Sequence, residues 1–91
     1  MAAYTATPLS SVTTLSAATA APVPASPQSN RLLLKLYNFD PTYPVWYGGS
    51  SVSATTGIEI GPGAESDWIP CSGSIYVIST LGTTVGSLEM A

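Results

Sequence analysis

The stretch Arg31 to Phe39, Arg-Leu-Leu-Leu-Lys-Leu-Tyr-Asn-Phe, decides the fold class of this chain. Leu32, Leu34 and Leu36 alternate with Leu33, Lys35 and Tyr37. Successive side chains of a strand point to opposite faces, so this period of two gives one wholly apolar face and one mixed face. Asp40, Pro41 and Pro44 punctuate a turn, Tyr43 to Tyr47 reads as a second strand, and Gly48-Gly49 closes it. Val52 and Ile58 to Ile60 lie on either side of a Thr-Thr-Gly turn, and Gly61-Pro62-Gly63 forces another reversal. Asp67 to Ile69, Ser74 to Thr80 and Thr83 to Met90 follow, separated by Pro70, Gly73 and Gly82. Strands at a spacing of about 8–12 residues, with Gly or Pro between them, predict an all-β fold. The expected architecture is a small antiparallel β-sandwich or barrel of roughly six to seven short strands, preceded by an extended N-terminal arm.

Upstream of Arg31 the composition changes abruptly. Residues 1–29 contain no charged side chain and are almost entirely Ala, Thr, Ser and Pro. The predicted division is therefore an extended low-complexity arm over 1–29 and a β-domain over 30–91. Pro22, Pro24 and Pro27 favour an extended path, because each fixes φ and restrains the residue before it. Leu9, Val12 and Leu15 recur every three residues, the spacing of a short helix capped by Ser10 or Ser11. The β-branched run Val12, Thr13, Thr14 opposes that helix, and both conformations stay open. The arm lacks the basic and continuously apolar regions of a signal peptide. It is expected to lie on a partner or a neighbouring copy, using Tyr4, Leu9, Val12, Leu15 and Val23.

Seven of the 91 residues are charged, giving a net charge of −3. A charged fraction of 8 % is about a third of the usual ~25 %. Charge is depleted where surface is buried against other chains, so the composition points to a component of an assembly. Arg31 and Lys35 are too few to neutralise the phosphates of a nucleic acid. No apolar run approaches the ~20 residues of a membrane span, so neither nucleic acid nor membrane is an expected partner. A β-domain of roughly 60 residues buries only about 60 % of its unfolded surface and is marginal alone. With one cysteine there is no internal disulfide, and oligomerisation is the remaining staple.

Catalytic chemistry finds little support. The sequence has no histidine for acid–base work near neutrality. Glu65 and Asp67 share a strand face, but reading them as turn-bounding carboxylates outweighs catalysis or metal binding. Cys71 has no histidine partner and is expected to be a buried, small apolar side chain. Gly48-Gly49-Ser50-Ser51 and Gly61-Pro62-Gly63-Ala64 lack the lysine of a phosphate loop and read as turns. No catalytic residue, metal ligand or cofactor is expected, and the chain is read as a non-enzyme. Trp68 and one of Trp46 and Tyr47 are assigned to the core. Tyr43, Trp46, Tyr47 and Tyr76 are the candidate subunit-interface residues, where aromatic side chains concentrate.

Three runs together resemble a small β-domain of tailed-bacteriophage virion proteins. They are Val45 to Ser53 with its Gly-Gly-Ser, Gly57 to Glu65 with its Gly-Pro-Gly-Ala-Glu, and Ser74 to Ser79 with Ile-Tyr-Val-Ile. The resemblance covers about residues 31–90, leaves out the arm, and rests on turn chemistry and alternation. It departs at Trp68, where short polar turns are usual. It implies a structural role in the phage particle, with no catalytic residues to carry over. The expected function is that of a capsid cement or decoration protein on the outer surface of the head, a homotrimer bound to the major capsid protein or another shell protein. A neck or tail adaptor or fibre-base protein is the alternative in the same class. A glycan-binding module built on Tyr43, Trp46 and Tyr47 is the alternative from another class. Truncation of residues 1–29 is expected to leave a folded domain that no longer binds particles.

Overall fold

A computed structural model describes residues 8–91, and these contain strands and turns but no helix. Seven strands run in chain order: β1 Pro8–Leu15, β2 Ala21–Pro22, β3 Leu33–Asn38, β4 Val45–Gly48, β5 Ile58–Ile60, β6 Tyr76–Ile78 and β7 Thr83–Met90. They form two antiparallel sheets, of order β1-β7-β3 and β2-β6-β4-β5. Leu15, Leu34, Leu36 and Val85 from the first sheet share one core with Val45, Ile60 and Val77 from the second, and Val23 joins them. The all-β expectation holds.

Alternation explains which residues enter that core. In β3, Leu34 and Leu36 are fully buried, while Lys35 is half-buried and Tyr37 exposed. Leu32, predicted on the same apolar face, precedes the strand and is exposed. The buried row of β3 continues instead with a polar residue, Asn38. Its Nδ2 donates to the carbonyls of Tyr43, Ile60 and Gly61 at 3.0, 3.2 and 3.1 Å, and its Oδ1 accepts the Asp40 N–H at 2.9 Å. One side chain thus supplies the hydrogen bonds that buried backbone groups at the end of β5 require.

The division at residue 29 is corrected. β1 pairs with β7 residue for residue from Pro8↔Met90 to Leu15↔Thr83, and β2 pairs with β6. The period-three spacing of Leu9, Val12 and Leu15 is accommodated by a strand, with Leu9 and Leu15 on the inner face and Val12 on the outer. Residues 8–23 are therefore part of the domain rather than an appendage to it. Removing 1–29 would take away an edge strand from each sheet, β1 and β2, and the core residues Leu15 and Val23, so that truncation does not leave the domain intact. Gly82 closes the turn into β7 at φ +83°, a conformation that favours glycine, with the Leu15 carbonyl 3.0 Å from where a Cβ would stand.

Trp68 is also corrected: it is 41 % exposed. Ile69 bridges Leu34 and packs on the core, so alternation turns its neighbour outward. The Trp68 ring instead lies 5.2 Å from the Lys35 ammonium. Cys71 is half-buried rather than buried, on a loop with its Sγ 3.6 Å from the Gly73 carbonyl.

Candidate functional site

The outward face of the β1-β7-β3 sheet presents several apolar side chains to solvent. Register builds it in rows: Leu33, Met90 and Pro8; Lys35, Leu88 and Ser10; Tyr37, Gly86 and Val12. Antiparallel sheets with one solvated side normally turn polar residues outward. Here Val12 is 65 %, Phe39 50 % and Tyr37 40 % exposed. The Tyr37 and Phe39 rings lie 5.1 Å apart at a 39° tilt. They close over Gly86, where a Cβ would stand 2.7 Å from Phe39 Cε2. Absence of a side chain at Gly86 thus lets the Phe39 ring lie against the strand. The result is an open groove of about 330 Å³ lined by Ser10, Val12, Tyr37, Phe39, Gly86 and Leu88. Lys35, the one charge on this face among the described residues, is drawn aside by Glu65 at 3.0 Å and by Trp68.

The sequence reading missed this face because Leu33, Lys35 and Tyr37 read as the mixed, solvated side of β3. The available signal was Gly86, a glycine inside a strand, which marks close approach by another group.

The predicted binding residues separate. Tyr4 lies outside the described residues. Leu9 and Val12 are exposed on β1, whereas Leu15 and Val23 are buried in the chain's own core and cannot bind a partner. Tyr43 is exposed in the turn before β4. Trp46 and Tyr76 share the outer side of the four-stranded sheet, opposite Ile78 and Gly48 respectively, and both are half-buried. Tyr47 turns inward onto the core. Those four aromatic residues therefore form no single patch. Burial, and secondarily the Asp67 carboxylate, raises the Tyr47 hydroxyl above its ordinary value.

Three of the acidic residues, Asp40, Glu65 and Glu89, make contacts within the fold. Asp40 caps its own turn, accepting the N–H groups of Thr42 and Tyr43 at 2.8 and 2.9 Å. Those donors hold its carboxyl below the ordinary range, Thr42 most strongly. Glu65 pairs with Lys35, and Asp67 is exposed. Glu89 is buried with Arg31, Nη1 to Oε2 at 2.9 Å. Nε of Arg31 donates to the Cys71 carbonyl at 2.8 Å and Nη2 to that of Gly73. Arg31 thereby fastens the 71–73 loop to β7. Among the described residues, no three of His, Cys, Asp and Glu are grouped as metal ligands would be.

Comparison with protein-family models, with curated proteins and with solved structures returned no match.

Proposed function

We propose that this chain is a non-enzymatic structural protein of a bacteriophage particle, a cement or decoration protein that binds the head shell. The observation that carries the reading is the apolar outward face of β1-β7-β3, centred on Val12, Tyr37 and Phe39. A contiguous apolar surface on a small domain marks an interaction site. The virion assignment is supported by the motif resemblance of residues 31–90 and by a composition nearly free of charge. Its mechanism is binding alone: each copy contributes a modest contact, and repetition over a symmetric shell multiplies the effect.

The test uses particles that lack the protein, to which purified protein is added back. Occupancy and the temperature of particle disruption are measured for the wild type and for Tyr37→Ser/Phe39→Ser. Both side chains are exposed, so the variant folds. Loss of two aromatic anchors, each worth about 1–2 kcal/mol, weakens binding roughly 30- to 1,000-fold. Undiminished decoration by the variant would remove this face from the mechanism. Occupancy confined to one vertex would assign the protein to the neck or tail instead.

A further inference from the structure

We infer that β1 is a self-complementary edge, through which two copies of this chain pair about a two-fold axis at Val12 to form one six-stranded sheet. This inference goes beyond shell binding and stands without it.

The two edges of the three-stranded sheet are treated differently. The β3 edge is sealed by residues 64–69. Leu34 and Ile69 exchange N–H···O bonds of 2.9 and 2.7 Å, Ser66 N–H donates to Leu36 at 2.8 Å, and Asn38 N–H donates to Ala64 at 2.9 Å. Those bonds point the even residues of β3 away from β7. Hydrogen bonding alternates along antiparallel strands. Odd residues of β3 therefore bond to β7, even residues of β7 face β3, and Val85, Ser87 and Glu89 face β1. Their register partners are Thr13, Ser11 and Leu9. Ser10, Val12 and Thr14 consequently turn both N–H and C=O to the open edge, where none is bonded to another described residue.

Such an edge is normally blunted by lysine, proline or a bulge. β1 has none of these in its interior: its pairing with β7 is unbroken, it carries no charge, and Pro8 is its first residue. What fits the edge is a second β1. Keeping outward side chains beside outward side chains sets Val12 opposite the partner's Val12 and Ser10 opposite the partner's Thr14. Both copies then offer the same groups, and three facing pairs are completed with six N–H···O bonds. No like charges meet. Val12 also lines the groove with Tyr37 and Phe39, so the two grooves become neighbours across the axis. Among the described residues each protomer has one open edge of this length, so pairing stops at two copies and replaces the trimer expected from the sequence.

The test is mass measurement by light scattering of the full chain over a concentration series, with circular dichroism as the folding control. The expected result is twice the 9.3 kDa chain mass. Val12→Lys places two ammonium groups at the axis, and Val12→Pro deletes an N–H that no bond among the described residues uses. Each should raise the dissociation constant about tenfold or more. In a Cys71→Ser background, Val12→Cys should give a disulfide-linked dimer on mild oxidation. Facing Cα atoms in such a pair lie about 5.5 Å apart, within the range a disulfide spans. Leu32→Cys, exposed elsewhere, should not. A wild-type monomer at every concentration, a trimer, or a dimer that survives Val12→Lys and forms no Val12→Cys link would each overturn the inference. If Val12→Pro fails to fold, the other two variants decide.

Discussion

Replacing Arg31 by methionine leaves a carboxylate in the protein interior without its cation. Both side chains of the Arg31–Glu89 pair are 0 % exposed. Glu89 Oε2 also accepts the Gln28 N–H at 2.9 Å, while Oε1 has no partner among the described residues. In Arg31→Met the carboxylate keeps that one backbone donor. Breaking a buried pair from one side costs about 3–5 kcal/mol. A chain of this length has a total stability of roughly 5–14 kcal/mol at 0.05–0.15 kcal/mol per residue. The melting temperature should therefore fall by about 12–40 °C, at 4–8 °C per kcal/mol for a small domain. Removing both charges, in Arg31→Met/Glu89→Leu, eliminates the desolvated carboxylate and should recover most of the loss, since apolar replacement of a whole buried pair is often neutral. Urea unfolding followed by Trp46 and Trp68 fluorescence measures Arg31→Met, Glu89→Leu and the double variant. The double-mutant cycle should give a coupling of several kcal/mol that persists in high salt, because screening reaches buried charges weakly. A single-variant cost below about 1 kcal/mol, or a double variant whose cost equals the sum of the singles, would refute the argument.

Asn38→Ala removes the donor shared by three carbonyls and should cost about 2–4 kcal/mol in urea unfolding. Asn38→Asp should cost more near neutral pH, where a carboxylate faces the same carbonyls. Gly57→Ala builds a Cβ 2.6 Å from Val52 Cγ2 and 2.7 Å from Trp46 Cβ. It should destabilise by about 1–3 kcal/mol, visible as a lower urea midpoint at unchanged slope. Because the folded-state pKa of Asp40 is lowered, its turn contributes stability above the unfolded value of ~3.9 and loses it as pH falls through the lower folded value. The stability difference between wild type and Asp40→Ala should accordingly be present at neutral pH and vanish in strong acid. A difference independent of pH would assign the effect to something other than the carboxylate.

The strands from β3 onward were legible because Leu34, Leu36, Val45, Ile60, Val77 and Val85 alternate with less buried neighbours, and Gly or Pro separates the runs. β1 was not, because Ser and Thr give no apolar contrast from which a period can be read, and Leu9, Val12 and Leu15 happen to match a helical spacing. Residues with the right periodicity but the wrong polarity were also missed. Asn38 occupies the next inward place after Leu36, and Glu89 follows Val85 and Ser87 on the inner side of β7. Their partners, the turn carbonyls for Asn38 and Arg31 for Glu89, come from distant parts of the chain, and no local pattern announces them. Trp68 was placed inside on hydrophobicity alone. Its position next to the inward-facing Ile69 decides otherwise.

The central position of β7 in its sheet has a consequence for synthesis. β1 and β3 do not pair with each other; β1 pairs only with β7, which is made last of the seven strands, while β3 lies between β7 and residues 64–69. On the ribosome, β1 must therefore wait with its backbone groups unpaired, and β3 with one edge open, until Thr83–Met90 has emerged. Contacts that span most of the chain form slowly, and unpaired strands are exposed to misassociation in the interval. The absence of a long apolar run from β1 suits a segment that must stay in water before its partner exists.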